Sequence, residues 1–221
     1  MEIRVIDLGR ISYKEAFTRQ IQAQAQILQG ISSHTLILCE HHHTVTLSRH
    51  ASLSNILDQG ILKSDNIDFI MGVNRGGDIT YHGPGQLVGY LIFDLRELGR
   101  DLGWFLNRTE EVLIKTLSEF QIEGHTKKGF RGIWIGEKKI ASIGIGVSKW
   151  VSMHGFALNI NTDLKLFNKI RPCGLDVKMT SMEECLGGPI DMRPVKQVVV
   201  SQMASNFSTK QYSYAKGVSD D

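Results

Sequence analysis

Cysteine is scarce in this chain. Cys39, Cys173 and Cys185 are spaced too widely and irregularly for a disulfide framework or a zinc site. Proline is scarcer still, with four in 221 residues, and no low-complexity linker or internal repeat divides the sequence. No apolar run approaches the roughly 18 residues of a membrane span, and no basic, apolar and small-residue leader opens the chain. No membrane association is therefore expected, and the cytoplasm is the expected compartment. A net charge of +2 is too small to imply nucleic acid.

What is present is an ordinary folded composition, 42% apolar and 22% charged, long enough to bury a sizeable core. The charge is unevenly spread. Residues 127–178 carry ten Lys or Arg against three Asp or Glu, a local balance of +7, so the remainder sums to −5. This half suits an acidic partner.

The hydrophobic pattern changes period along the chain. The opening MEIRVIDLGR reads as a strand. Ser12 and Glu15 form a capping box, followed by Tyr13, Phe17, Ile21, Ala25 and Leu28 on one helical face, with Gly30 ending the helix 13–28. TLILC at 35–39, residues 67–73 and LVGYLIF at 87–93 read as strands, and SLSNIL at 52–57 as a short helix or turn. Asp101 caps a helix whose face carries Leu102, Phe105, Leu106, Thr109, Leu113, Leu117 and Phe120. GIWI at 132–135 and KIASIGIGV at 139–147 read as a hairpin around Gly136–Glu137, with GFALNI at 155–160 a further strand. Short helices are expected after Asp163 and near 180–184, and a last helix carries Val195 to Phe207 with Pro194 in its first turn. The pattern predicts an α/β (α+β) fold, a mixed sheet flanked by helices. Residues 1–211 are expected to form one domain, and 212–221 a flexible tail.

The stretch NRGGDITYHGPGQLVGY at 74–90 packs five glycines and Pro84 around Arg75, Tyr81, His82 and Gln86. It lacks the spacing of a dinucleotide or Walker A loop. A tight turn alone does not call for that much polar chemistry. Three consecutive histidines, His41 to His43, are not read as a metal site, because neighbours on a strand face opposite ways.

The ordered set of Arg75-Gly76-Gly77-Asp78-Ile79-Thr80-Tyr81-His82-Gly83-Pro84-Gly85-Gln86 followed by Leu87-Val88-Gly89-Tyr90, Lys139-Ile140-Ala141-Ser142-Ile143-Gly144, Met153-His154-Gly155-Phe156-Ala157-Leu158-Asn159 and Pro172-Cys173-Gly174 resembles the octanoyl-[acyl-carrier-protein]:protein octanoyltransferases, also called lipoate–protein ligase B. The likeness covers roughly residues 5–190. Where that family commonly reads Glu-His-Pro-x-x-Tyr-Thr-Leu-Gly, this chain has Glu40 to Ser48, with Ser48 in the glycine position.

The resemblance implies a fold like the catalytic domains of biotin and lipoate ligases. It also implies transfer of octanoyl from octanoyl-acyl carrier protein to a lysine of lipoyl domains, in 2-oxoacid dehydrogenase complexes and in glycine cleavage H protein, by a monomer without metal or cofactor. Cys173 and Lys139 would be the catalytic pair, with Cys173 carrying the acyl group as a thioester. The acyl site would draw on Arg75, Gly76, Gly77, Tyr81, His82, Gly83 and Gln86 from the first motif, and on Ser142, Ile143, Gly144, His154, Gly155 and Ala157 from the others.

Chemistry is consistent with that pair, since a thiolate is both nucleophile and leaving group. Lys139 opens a strand whose alternate residues share its face, and burial there would lower its pKa. His82 and His154 are alternative bases or hydrogen-bonding groups. Cys39 and Cys185 read as small buried hydrophobes. Two rival enzymes stay open, an ATP-dependent lipoate or biotin ligase and a lipoyl-protein to lipoyl-protein octanoyl amidotransferase. An acyl-carrier-binding scaffold is the non-enzyme alternative.

Overall fold

The protein is described by a computed structural model covering residues 2–58, 60, 66–171, 177–207 and 211–214. In chain order the elements are β1 (Glu2–Ile11), α1 (Tyr13–Leu28), β2 (His34–His41), β3 (Thr44–Ser48), β4 (Asp68–Val73), β5 (Ile79–His82), β6 (Gln86–Ile92) and α2 (Leu102–Glu119). There follow β7 (His125–Lys127), β8 (Phe130–Ile135), β9 (Lys138–Ser148), β10 (Val151–Asn159), α3 (Met182–Leu186), α4 (Met192–Asn206) and β11 (Gln211–Tyr214). Short 3₁₀ segments occupy Leu53–Asn55 and Leu164–Lys169.

Eight strands form a mixed sheet in the order β11-β1-β2-β6-β10-β9-β8-β7, and β4-β3-β5 form a smaller one. β1 runs parallel to β2 and β11, and the remaining pairs of the large sheet are antiparallel. Period-two alternation sorts its side chains. Leu36, Leu38, Leu87 and Leu91 face a core built with α2 and α4, whereas Ile37, Cys39, Val88 and Tyr90 face α1. Helices thus cover both faces, as the alternating pattern predicts. Within the segment expected as a tail, Tyr212, Ser213 and Tyr214 pair with β1 as part of β11.

The Ser12–Glu15 capping box forms, with both reciprocal bonds present. The buried face of α1, however, is Tyr13, Ala16, Gln20, Ala23 and Ile27, while Ile21 is 48% exposed. The expected stripe is therefore rotated. A polar anchor sets the rotation: Gln20 Oε1 accepts the His154 N–H at 2.9 Å, where the backbone of β10 turns to φ +60° and leaves that donor off the ladder. Hydrophobicity alone does not reveal a glutamine chosen for burial. Cys39 is buried, as expected, but Cys185 on α3 is exposed.

Among the described residues no helix is long and apolar enough to cross a membrane. Ser12→Ala removes one side of the capping box and is expected to cost about 1 kcal/mol. Urea denaturation measures it; an unchanged midpoint would mean that packing alone holds the first turn.

Candidate functional site

The predicted substrate-binding residues fall into two groups. Arg75, Gly76, Gly77, His82, Ser142, Ile143, Gly144, His154, Gly155 and Ala157 line one cleft on the large sheet, with about 470 Å³ of empty space including its mouth. Tyr81, Gly83 and Gln86 do not line it. Tyr81 is core, its ring edge-on to Phe167 and its hydroxyl 2.7 Å from His43 Nδ1. Gly83 makes room for it, since a Cβ there would lie 1.9 Å from Tyr81 Oη. Gln86 is buried beneath His82. The glycine-rich stretch is thus two devices, a cleft wall at 76–77 and a structural turn at 83–85. Ser48, the departure from the family pattern, is a buried residue of β3 outside the cleft lining.

Tyr13, Thr80, Val88, Tyr90 and Phe156 also line the cleft and escaped the sequence reading. Tyr90 and Val88 alternate within an apolar strand, so nothing but packing was visible. Tyr13 hides as the first residue of a helix. Its hydroxyl is buried with no hydrogen-bond partner among the described residues, and burial raises its pKa to about 12.

Lys139 lies in an adjoining hollow with Leu102, Leu106, Phe130, Arg131 and Ile145. The hollow shares Gly76, Gly77, Ile143 and Gly144 with the cleft, so the two adjoin at the glycine wall. Lys139 is only 3% exposed, and its Nζ sits 5.5 Å from the centroid of Trp134. Its side chain passes over Gly132, whose φ is +121° and where a Cβ would meet Lys139 Cε at 2.6 Å and Ala141 O at 2.3 Å. Lys138, in contrast, is solvent-facing and pairs with Glu184.

Cys173, with Pro172 and Gly174, lies outside the described residues. On the near side of that segment the Arg171 N–H donates to Asn55 O at 2.7 Å. On the far side the Lys139 N–H donates to Lys178 O at 2.8 Å, and the Thr180 N–H returns a bond to Lys139 O at 2.9 Å. Of the other thiols, Cys39 is sealed in the α1 core and burial pushes it upward, away from the thiolate.

A chain of hydrogen bonds runs from the lysine strand into the cleft. Asn159 Nδ2 donates to the Thr180 carbonyl (2.9 Å), Gln86 Nε2 donates to Asn159 Oδ1 (2.9 Å), and His82 Nδ1–H donates to Gln86 Oε1 (2.7 Å). A backbone carbonyl accepts the first bond, so every later donor and acceptor is fixed. His82 therefore keeps its proton on Nδ1, and its Nε2 is an acceptor. Burial, reinforced by His41, holds its pKa down at about 3. His154, stacked on Phe17, falls to about 4 through burial and then the charge of Arg75. Arg75 donates to Thr46 O and Oγ1 at 2.9 and 2.8 Å and to Gly76 O at 3.0 Å, which ties the cleft wall to the small sheet.

His41 is buried, donates from Nδ1 to Ile11 O and accepts at Nε2 from Tyr90 Oη. Among the described residues no group of three or more His, Cys, Asp or Glu is placed to hold a metal.

Burial lowers the pKa of His34, His41, His82 and His154. Unfolded, each titrates near 6.5, so below that pH the unfolded chain binds more protons than the folded one. Stability is expected in full above about pH 6.5 and to fall as pH drops toward 4; urea midpoints across pH 4–8 test this, and a flat profile would refute it. Gly132→Ala, strained at positive φ and struck by Lys139, is expected to cost at least about 2 kcal/mol. Thermal melting reads that loss.

Comparison with known proteins gives one answer at two levels. The model of the lipoyl protein ligase A/B catalytic domain matches residues 12–204. The octanoyltransferase of Syntrophotalea carbinolica is 44% identical over 210 residues, 95% of each chain, and that of Solibacter usitatus 48% over 176 residues, 79% of this chain and 80% of its own. In fold the chain is similar to a lipoate-protein ligase A solved with ATP, at TM-score 0.76 and 15% identity, covering all of this chain and 90% of that one. It is also similar to the biotin protein ligase of Aquifex aeolicus in complex with biotin and ATP, at TM-score 0.57 and 15% identity, covering 93% and 70%. The chain belongs to the lipoyl protein ligase A/B catalytic-domain family, as an acyltransferase whose sequence relatives are octanoyltransferases.

Proposed function

We propose that the chain moves an octanoyl group from the thioester of octanoyl-acyl carrier protein to the lysine amine of a lipoyl domain, through a thioester on Cys173. The 1–211 region acts as one catalytic domain, and as a monomer. The observation that carries this reading is the adjacency of two hollows. A narrow cleft with apolar walls shares Gly76, Gly77, Ile143 and Gly144 with the hollow that holds a buried amine, Lys139. Chain connectivity adds support, because Cys173 is five residues from Lys178, whose carbonyl is bonded to the Lys139 N–H. Five residues span at most roughly 18 Å.

The chemistry runs in two steps. The Cys173 sulfur attacks the donor carbonyl carbon, its proton passing to Lys139, and the carbon–sulfur bond to the carrier breaks as the carrier thiol leaves with a proton. The incoming lysine nitrogen then attacks the Cys173 thioester. The second carbon–sulfur bond breaks, the amide forms, and the proton lost from nitrogen returns to the enzyme sulfur. Both steps pass through an oxyanion that needs donors placed where charge develops. The Gly77 backbone N–H of the glycine wall suits that task, whereas the Gly76 N–H is engaged by Ile145 O at 3.0 Å. The seven alkyl carbons of octanoyl contribute roughly 5 kcal/mol on burial, at ~0.8 kcal/mol each. Acceptors are the lipoyl domains of 2-oxoacid dehydrogenase complexes and glycine cleavage H protein. The basic 127–178 region steers the acidic carrier.

An ATP-dependent ligase on the same fold is the alternative that the ATP-bound structural neighbour raises, and it needs no cysteine. Incubation with octanoyl-acyl carrier protein alone is expected to add one octanoyl mass to Cys173, removable by hydroxylamine, and Cys173→Ala is expected to abolish it. Lys139→Ala is expected to lower kcat by roughly 10²–10⁴. No adduct on the wild type, or transfer by Cys173→Ala that requires ATP, would overturn the covalent route.

A further inference from the structure

The cleft is a trough laid across the strands. Gly144 of β9 stands opposite Gly155 of β10, which stands opposite Tyr90 of β6. Two residues along, the next row reads Ser142, Ala157, Val88. Residues two apart on a strand face the same way, so both rows open on one face. That is the α1 side, where Ala157, Val88 and Tyr90 share one cluster. In both rows the β9 and β10 positions are small, Gly144 and Gly155 or Ser142 and Ala157, and the β6 position is large, Tyr90 or Val88. The floor is low over β9 and β10 and walled at β6.

The direction of the trough follows from its neighbours. Its β9 end shares Gly76, Gly77, Ile143 and Gly144 with the Lys139 hollow, so the reactive end of a ligand belongs there. Neither glycine of the first row admits a side chain. A Cβ at 144 would lie 2.8 Å from Gly76 O, and one at 155 would lie 2.0 Å from Gly89 O. From β9 to β6 is two inter-strand steps, roughly 10 Å, about the reach of an extended eight-carbon chain.

We propose that Tyr90 is the chain-length stop of this trough, with Val88 and Tyr13 completing the end wall. The proposal rests on the acyl-transfer reading above and adds the residues that measure the chain. A stop must not yield. Tyr90 is 3% exposed, and its hydroxyl donates to His41 Nε2 at 2.6 Å, while His41 Nδ1 donates to Ile11 O at 2.9 Å. The ring is therefore tied through a histidine to the backbone at the end of β1. Ala157, in the middle of the second row, governs depth in the same way: a larger residue there shortens the trough.

Isothermal titration calorimetry of hexanoate, octanoate, decanoate and dodecanoate against the full chain tests this without turnover. The wild type is expected to bind octanoate best and decanoate at least 10-fold more weakly. Tyr90→Ala is expected to raise the decanoate-to-octanoate affinity ratio at least 10-fold. Tyr90→Phe, which keeps the ring and loses the bond to His41, is expected to retain the wild-type order of preference. Ala157→Leu is expected to move the optimum to hexanoate. Folding of each variant is checked by circular dichroism; should Tyr90→Ala not fold, Ala157→Leu decides the matter. An unchanged length profile in a folded Tyr90→Ala or Ala157→Leu variant, or a Tyr90→Phe profile shifted like that of Tyr90→Ala, would overturn the proposal. A protein that selects octanoate yet transfers none removes the transfer reading and leaves the ruler standing. Transfer without length selection does the reverse.

Discussion

One backbone contact organises the site. β8 pairs with β9 only as far as Ala141, and beyond it the Gly76 N–H donates to Ile145 O at 3.0 Å. The loop of the small sheet thereby closes on the outer edge of the large one. Such an approach leaves no space for side chains: a Cβ at Gly144 or Gly146 would lie 2.8 Å from Gly76 O or 2.2 Å from Asn74 O. The glycines on both sides of the seam answer a single steric demand. The seam carries Arg75 and Gly77 into the cleft and forms the wall that the cleft shares with the lysine hollow.

Around that seam, polar groups are spent on orientation more than on solvation. The bonds from Thr180 through Asn159 and Gln86 to His82 tie the strand that holds Lys139 to the far part of the cleft. Each group is buried, so each unmade bond would cost about 1–3 kcal/mol, and the side chains hold one arrangement. The neutral histidines share that logic. Burial outweighs their partners, so the cleft presents hydrogen-bonding nitrogens without mobile charge. An apolar chain can lie beside such groups at little electrostatic cost.

The same architecture serves ligases of low sequence identity, which shows a shared fold and nothing more. What marks this chain is local: a lysine over a positive-φ glycine, a two-row trough of small residues, and an aromatic wall. Of these, the lysine and the small residues lay inside recognisable motifs. The wall residues Val88 and Tyr90 also fell inside the first motif, but no site role was read for them, because they look like ordinary inward-facing positions of an apolar strand. Tyr81 and Gly83 carry the opposite lesson, since they sit inside a motif and serve the packing of the small sheet.

The sequence by itself determined the alternation of strands and helices, the Ser12–Glu15 cap, the 132–147 hairpin and the set of residues around which a site could form. These are local properties, set by side-chain periodicity, φ preference and capping within a few positions. Only the tertiary structure decided that α1 turns on Gln20, that Gln86 works beneath His82, that Lys139 and the cleft meet at the β9 edge, and that Tyr90 ends the trough. Those outcomes depend on strand register and on which backbone passes within a few ångströms of which other, and neither is written in the spacing of residues along the chain.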